Sequence, residues 1–295
     1  MFPRLGYLKY FAYLQGHAPM KLMQFDVEVS VSINEINADG MMLVLPVDAT
    51  PGPKLDALLG KLPVWLKADF STVARKRKFE AKAGSSLSFD APDGTRKSLV
   101  CVDAKAGAFE LLVAARKVMD SGVFDGKVKR LAIDLTHAGL KTQEFADAFV
   151  SAAAAKIYKF PKYKTETKTL AKGEKPAKDE QQSLRLCLVV HKSEVKSVEA
   201  VVARAADLTT AGTNLVRWLA KRAGNDLTCK NYIDYLKRLS RDRKWGFKLH
   251  GHDALTKMKA GAFLAVVKGS AHKDYGIVEI TYAPKGKSTK HLALV

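Results

Sequence analysis

The sequence lacks several features that would assign it to a class at once. None of its apolar runs approaches the roughly 18 residues that a membrane-spanning helix needs. Its three cysteines, Cys101, Cys187 and Cys229, lie far apart, which excludes a disulfide scaffold and zinc sites of the CxxC type and suits a reducing cytoplasm. There is no GxxxxGK[ST], GxGxxG, GxSxG or HExxH motif, so the common phosphate-binding, hydrolase and zinc-peptidase patterns are excluded.

Acidic residues are scarce relative to basic ones. Thirty Asp and Glu residues stand against 49 Lys and Arg residues, which gives a formal net charge of +19. Basic residues cluster at Arg75–Lys78 and again from Lys159 to Lys178. Such a chain attracts polyanions, so nucleic acid is a candidate partner. No reader motif accompanies the charge, and a lysine-rich surface with a basic linker is therefore the favoured interpretation.

The length predicts two domains, since 295 residues at about 150 residues per domain leave room for two cores. Hydrophobic residues make up 47% of the chain and charged residues 27%, as in globular proteins. Residues 1–19 are apolar and aromatic, but Lys9 interrupts the run and the following Gly16–Ala18 is a poor cleavage site for a secretory signal. We expect residues 1–19 to be an extension that lies outside the fold.

Residues 20–158 predict an N-terminal α/β domain, because strand patterns alternate with helical ones. From Gln24 to Ile33 apolar residues recur at every second position, and from Thr142 to Tyr158 they recur at helical spacing. The other predicted strands are Met41–Val47, Ser98–Asp103 and Leu131–Leu135, and the other predicted helices are Leu55–Leu62 and Phe109–Met119.

Residues 159–182 predict a linker or loop, because they are rich in lysine and contain two prolines. Residues 183–295 then predict a second α/β unit. Its predicted helices are Val195–Ala223, with Gly212 as a possible bend, Lys230–Arg241, with Thr228 as N-cap, and Ala254–Met258. Its predicted strands are Leu184–Val190, Gly246–Leu249, Phe263–Lys268, Ile277–Tyr282 and His291–Val295.

Two short patterns invite a chemical interpretation. His250, His252 and Asp253 are residue types that bind zinc, but no other His, Cys or carboxylate cluster accompanies them. A loop with Asp253 as N-cap of the helix that follows is the favoured alternative. Gly269 and Ser270 follow a predicted strand and could begin a phosphate-binding turn, but they lack the rest of any such motif. Neither pattern assembles a nucleophile, a base and an orienting group.

The C-terminal third resembles the opening of the catalytic domain in the leucyl aminopeptidase (cytosol aminopeptidase) family. That family has a helix with N-L-x-R-x-L that runs into a turn of the form P-P-N-x-L-T-P. The helix is matched here by Asn214, Leu215, Arg217 and Leu219, and the turn by Asn225, Leu227 and Thr228. The sequence departs from the pattern at the three prolines, where it has Ala223, Gly224 and Cys229.

A second segment carries the resemblance further. The family pattern L-x-x-x-x-M/A-G-x-x-L-A-V-x-x-G-S is matched from Leu255 to Ser270, and Ile277–Tyr282 and His291–Val295 are similar to the two strands that follow it. In the family, the last of these strands runs into G-K-G-x-x-F-D-x-G-G, and the metal ligands and catalytic residues lie beyond the strand. We therefore carry no catalytic, metal or cofactor-binding residue of the family onto any position of this sequence.

The resemblance implies a fold, an activity and partners. We expect an N-terminal α/β domain followed by an incomplete α/β catalytic domain. The implied activity is that of a cytoplasmic metalloexopeptidase, in which two divalent ions, zinc or manganese, activate water for release of N-terminal residues from peptides. Family members form hexamers, so the resemblance also implies a homo-oligomer. The 295 residues alone are expected to bind no metal and to be inactive, and the alternative is a non-catalytic basic protein that binds DNA weakly, without sequence preference.

Overall fold

The structure, a computed structural model, describes residues 25–48, 54–120, 128–158, 184–205, 209–270, 272–284, 286 and 290–294. The predicted extension, 1–19, and the predicted lysine-rich linker, 159–182, lie outside these residues. The chain divides into two compact units, one containing Met20–Trp218 and the other Leu219–Val295. Among the described residues, no helix is long and apolar enough to cross a membrane.

The first unit is built on six strands and the helices between and after them. The strands are Phe25–Ser30 (β1), Gly40–Val47 (β2), Ser86–Asp90 (β3), Arg96–Asp103 (β4), Arg130–Asp134 (β5) and Leu184–Val189 (β6). The helices are Leu55–Lys61 (α1), Val64–Lys76 (α2), Ala108–Asp120 (α3), Thr142–Ile157 (α4), Val195–Arg204 (α5) and Thr210–Ala220 (α6), the last of which ends two residues beyond the unit.

The six strands form one mostly parallel sheet in the order β1-β6-β5-β2-β4-β3. All neighbouring pairs are parallel except β3 with β4, so an antiparallel strand closes that edge. Pro46 lacks an N–H to donate, yet it lies in β2, which is a central strand. The strand tolerates it because β5 pairs with β2 only as far as Leu43.

Both faces of the sheet are buried, and the alternation of side chains along β2 shows how. Met42 and Val44 belong to the larger hydrophobic cluster, which is completed by residues of α3, α4 and α5. Leu43 and Leu45 belong to the other cluster, which is completed by residues of α1 and α2. Successive strand residues point to opposite faces, so a strand that is apolar at nearly every position needs cover on both sides. The unit is therefore a sheet between two helical layers.

A cluster of polar side chains forms hydrogen bonds between α2 and the sheet. Lys97, in β4, is only 9% exposed, and its Nζ donates to Asp69 Oδ2 at 2.6 Å and to the carbonyl oxygen of Trp65 at 3.0 Å. The Trp65 indole N–H in turn donates to Asp134 Oδ2, at the end of β5, at 3.3 Å. A buried ammonium is tolerated only where it is paired and hydrogen-bonded, and α2 provides both partners.

The α/β prediction is confirmed, but several boundaries within it were wrong. The helix α2 and the strand β3 were not predicted. The second unit was expected to begin at residue 183, yet Leu184–Val189 pairs with β1 and β5 in the first sheet. Composition marked the lysine-rich segment as a boundary between domains, whereas it separates two elements, α4 and β6, of one unit.

Within the stretch Val195–Ala223, predicted as a single helix, the structure describes the helices α5 and α6. Ala205 and Thr209, which flank residues outside the described ranges, have π-helical geometry. Gly212, the expected bend, lies inside α6.

The described residues of the second unit form three helices and two strands, which are Cys229–Arg243 (α7), Gly246–His250 (β7), His252–Lys257 (α8), Gly261–Val267 (α9) and Ile277–Thr281 (β8). The two strands pair antiparallel. Thr228 is the N-cap of α7, as predicted, and its side chain accepts from the Asn231 N–H. Among the described residues of this unit, only Tyr235, Ser240 and Leu255 are buried.

Two predicted strands of the second unit were wrong. Phe263–Lys268 lies largely in the helix α9, where Leu264 N–H donates to the carbonyl of Ala260 at 3.0 Å. A short continuous apolar run is compatible with either a strand or a helix, and periodicity cannot separate them. Residues 290–294 form no strand, and Val295 lies outside the described residues.

We predict that the Lys97 cluster contributes far more stability than an exposed ion pair of the same helix. Lys97→Met leaves Asp69 without its cation and the Trp65 carbonyl without its donor, and should lower the free energy of unfolding by about 3 kcal/mol. The matched control is Arg75→Met, which breaks the exposed Arg75–Asp56 pair and should cost less than about 1 kcal/mol. Urea unfolding of both variants measures the difference, and equal losses would contradict the assignment.

Candidate functional site

The histidines of the 250–253 segment do not converge on a common point. His250 Nε2 lies 3.0 Å from Glu279 Oε2 across the β7–β8 pair, and His252 Nδ1 lies 2.8 Å from the hydroxyl of Tyr275. The hydrogen bond with His250 lowers the pKa of Glu279, and nearby Lys248 adds to the effect. Over the residues that the structure describes, no three His, Cys, Asp or Glu side chains come together as a metal site.

Asp253 is not the N-cap that the sequence predicted. The helix α8 begins at His252 with Gly251 as N-cap, which places Asp253 in its first turn. A carboxylate there still interacts favourably with the positive end of the helix. The sequence analysis therefore correctly placed Asp253 at the start of this helix but assigned it to the N-cap and not to the first turn.

Gly269 and Ser270 do not lie in the strand-to-turn context that a phosphate-binding loop requires. They follow the helix α9, and Ser270 N–H donates to the carbonyl of Val267 at 2.9 Å. The Ser270 hydroxyl donates to the carbonyl of His272 at 3.0 Å. The serine therefore closes the end of a helix.

The Arg75–Lys78 cluster lies at the C-terminal end of α2, where positive charge interacts favourably with the helix dipole. The Arg75 guanidinium donates to Asp56 Oδ1 at 2.8 Å, and that of Arg77 donates to the carbonyl of Ser88 at 3.3 Å. Lys76 and Lys78 are exposed. Half of this cluster thus has a role within the fold, and its two lysines contribute to a basic surface.

The sequence analysis missed a polar network at the carboxyl ends of β5 and β6. Asp134 is 4% exposed, and its Oδ1 accepts from the backbone N–H of Thr136 at 3.0 Å and from the Thr136 hydroxyl at 2.7 Å. His191 Nε2 donates to the carbonyl oxygen of Thr136 at 2.8 Å, and His137 Nδ1 lies 3.2 Å from the hydroxyl. The sequence signal for this network is Asp134 at the end of a strand pattern, two residues before Thr136.

This edge is where open parallel sheets commonly bind ligands. Here, however, the network joins the loop after β5 to the segment after β6, and Asp134 already accepts hydrogen bonds from Thr136 and Trp65. The arrangement fixes the course of two connections, and no chemistry follows from it by itself.

A comparison with protein families finds a match to the C-terminal part of the chain. Residues 214–295 match the model described as the catalytic domain of the cytosol aminopeptidase family. This range begins inside α6 and includes every described element that follows it.

Curated relatives extend the similarity over most of the chain. A probable cytosol aminopeptidase of Rhodopseudomonas palustris is 29% identical over 260 residues, which cover 85% of this chain and 48% of the relative. Probable cytosol aminopeptidases of Afipia carboxidovorans and of a Sulfurihydrogenibium species are 27% and 21% identical and are covered to 43% and 48%. The chain spans about half the length of the curated relatives it matches.

Solved structures show the same fold. A mutant of tomato leucine aminopeptidase superposes with a TM-score of 0.68 at 14% identity, over 90% of this chain and 52% of the tomato chain. A bottromycin maturation enzyme, solved in complex with manganese, gives a TM-score of 0.54 at 21% identity, with 84% and 46% covered. The family match thus covers residues 214–295, and the curated relatives and solved structures extend the similarity over most of the chain.

Burial distinguishes the three cysteines as potential nucleophiles. Cys101 and Cys187 are buried in the first unit, and burial raises the pKa of both thiols, that of Cys187 to about 12 with a contribution from the adjacent Glu28. Cys229 is exposed, at the first position of α7.

We predict that an alkylating reagent at pH 8 modifies Cys229 alone in the native protein. Thiolate is the reactive form, so raised pKa values and burial protect Cys101 and Cys187. Mass spectrometry after brief iodoacetamide treatment should show one adduct on the folded chain and three after unfolding. Rapid modification of Cys187 in the native chain would show that the strand β6 is not buried as described.

Proposed function

We propose that this chain supplies the N-terminal α/β unit and the opening segment of the catalytic domain of a metal-dependent aminopeptidase that releases N-terminal amino acids from peptides. The observation that carries the proposal is the family match of residues 214–295, since it falls on the catalytic domain. The similarity of most of the chain to curated aminopeptidases supports the assignment of the first unit to the same enzyme. A cytoplasmic location and a homo-oligomeric state are part of the proposal.

The proposed enzyme uses two divalent ions, manganese or zinc, whose chemistry is the activation of water and the polarisation of the scissile carbonyl. The described residues do not fit such a centre. His250 contacts Glu279 and His252 contacts Tyr275, and within the described part of the chain no third ligand lies with either pair. We therefore assign no step of the reaction to side chains of this chain, and propose that the 295 residues provide the scaffold on which a catalytic centre is completed.

We predict that the 295-residue chain alone does not hydrolyse leucine amide in the presence of manganese or zinc. The full-length Rhodopseudomonas palustris relative, assayed in parallel, is the positive control. A chimera in which residues 1–295 are joined to the part of the relative that follows its matched segment should recover chelator-sensitive turnover.

These arms separate the two parts of the proposal. Chelator-sensitive turnover by the chain alone would show that it contains its own catalytic centre. A chimera that folds and assembles like the relative but does not turn over substrate would count against the assignment to an aminopeptidase.

A second candidate function, weak binding of DNA without sequence preference, is favoured by the charge. Sixteen Lys and Arg residues stand against six Asp and Glu residues between Leu219 and Val295, so the excess of positive charge extends into the second unit. Lysine contacts with phosphates release counterions, and this gives affinity that carries no sequence information.

We predict that the chain binds any duplex of equal length with the same affinity, and that the affinity falls steeply as salt rises. Fluorescence anisotropy with two unrelated duplexes across a salt series measures both properties. Tight binding to one duplex that survives high salt would contradict the prediction and point to a dedicated reading surface.

A further inference from the structure

A groove crosses the helical layer formed by α3, α4, α5 and α6 in the first unit. It is open to solvent and forms a cavity with a volume of about 470 Å³, within the range of small-molecule sites. A second cavity, of about 390 Å³, shares Arg116, Ala155 and Thr213 with the first. The residues of the first cavity that matter below are Arg116, Glu144, Asp147, Arg204, Thr210 and Thr213.

Two oxygens at this groove are buried without a hydrogen-bond partner. One is the hydroxyl oxygen of Thr210, a residue that is only 7% exposed. The other is Oδ1 of Asp147, whose side chain as a whole is 42% exposed. The second carboxylate oxygen of Asp147 lies 4.0 Å from the Arg204 guanidinium, too far for a hydrogen bond. Buried polar atoms are nearly always paired, so a donor from outside the chain is the simplest completion of this pair.

The charges select the chemistry of that donor. The lining carries two basic side chains, Arg116 and Arg204, and two acidic ones, Glu144 and Asp147, so a ligand with charges of both signs matches it better than a phosphate. One orphaned carboxylate oxygen with one hydroxyl is too few ligands for a metal ion. A protonated amine suits the two orphaned oxygens, because its three N–H groups can donate to the Asp147 carboxylate and to the Thr210 hydroxyl oxygen together. Arg116 is exposed and lines both cavities, and a guanidinium is the preferred partner of a carboxylate.

We propose that this groove binds a zwitterionic amino acid or dipeptide, whose α-ammonium donates to Asp147 and Thr210 and whose carboxylate accepts from Arg116. Asp147 is in α4, Thr210 in α6 and Arg116 in α3, so the ligand ties three helices of one layer together. The site lies wholly in the first unit and does not depend on the proposed peptidase activity.

Calorimetric titration of the 295-residue chain with leucine and with leucylglycine tests the site, and the two ligands distinguish an amino acid from a dipeptide as its occupant. At least one should bind in the millimolar range or tighter, and N-acetyl-leucine, which lacks the ammonium, should not bind. Asp147→Asn should weaken binding about tenfold or more, since it removes a charge-assisted hydrogen bond. Glu199→Gln, on α5 but outside the groove, is the matched control and should leave the affinity unchanged.

Thr210→Val separates a ligand-binding role from a structural one. Valine keeps the shape and removes a hydroxyl that has no partner, so the melting temperature of the free chain should stay the same or rise while affinity falls severalfold. A lower melting temperature together with unchanged binding would overturn the assignment. So would the absence of binding by either ligand, equal binding of N-acetyl-leucine, or affinity that Asp147→Asn does not alter.

Discussion

The requirement that a parallel sheet be covered on both faces organises this chain. In β2, Met42 and Val44 point into one apolar cluster and Leu43 and Leu45 into the other, so neither helical layer can be omitted without exposing the central strands. The ammonium of Lys97 lies inside one of these interfaces and is stabilised by Asp69 and the Trp65 carbonyl, which ties α2 to the sheet. The first unit is a closed structure because these conditions are met together.

The second unit is under a different constraint, because its two described strands pair antiparallel and an antiparallel sheet can leave one face to solvent. Among its described residues, only Tyr235, Ser240 and Leu255 are buried, and Val266 and Tyr282 are 83% and 70% exposed. Residues 214–295 match an aminopeptidase catalytic domain, and the chain spans about half the length of each curated relative. The described residues of this unit bring no nucleophile and no metal ligands together, so the proposed function rests on relationship and not on a site.

Hydrophobic periodicity was sufficient for elements with one dominant pattern. The buried runs at Met41–Val47 and Leu131–Leu135 and the amphipathic stretch at Thr142–Tyr158 gave strands and a helix close to the observed bounds. It failed where an apolar run was short, as in Gly261–Val267, which is a helix and was predicted as a strand. The Lys97–Asp69 pair and the groove lined by Asp147, Thr210 and Arg116 could not be predicted, because these residues are distant in sequence and are brought to one place only by the packing of whole elements.

The central claim is that the first unit has a closed core and the second does not. Native-state amide hydrogen exchange of the 295-residue chain, resolved by peptide mass spectrometry, tests it most directly, because strand amides in a closed core exchange only through near-global opening. We expect peptides from β2, β4, β5 and β6 to be strongly protected and peptides from β7 and β8 to exchange orders of magnitude faster. Equal protection of β7 and β8 would show that the second unit has closed a core of its own and would contradict the account.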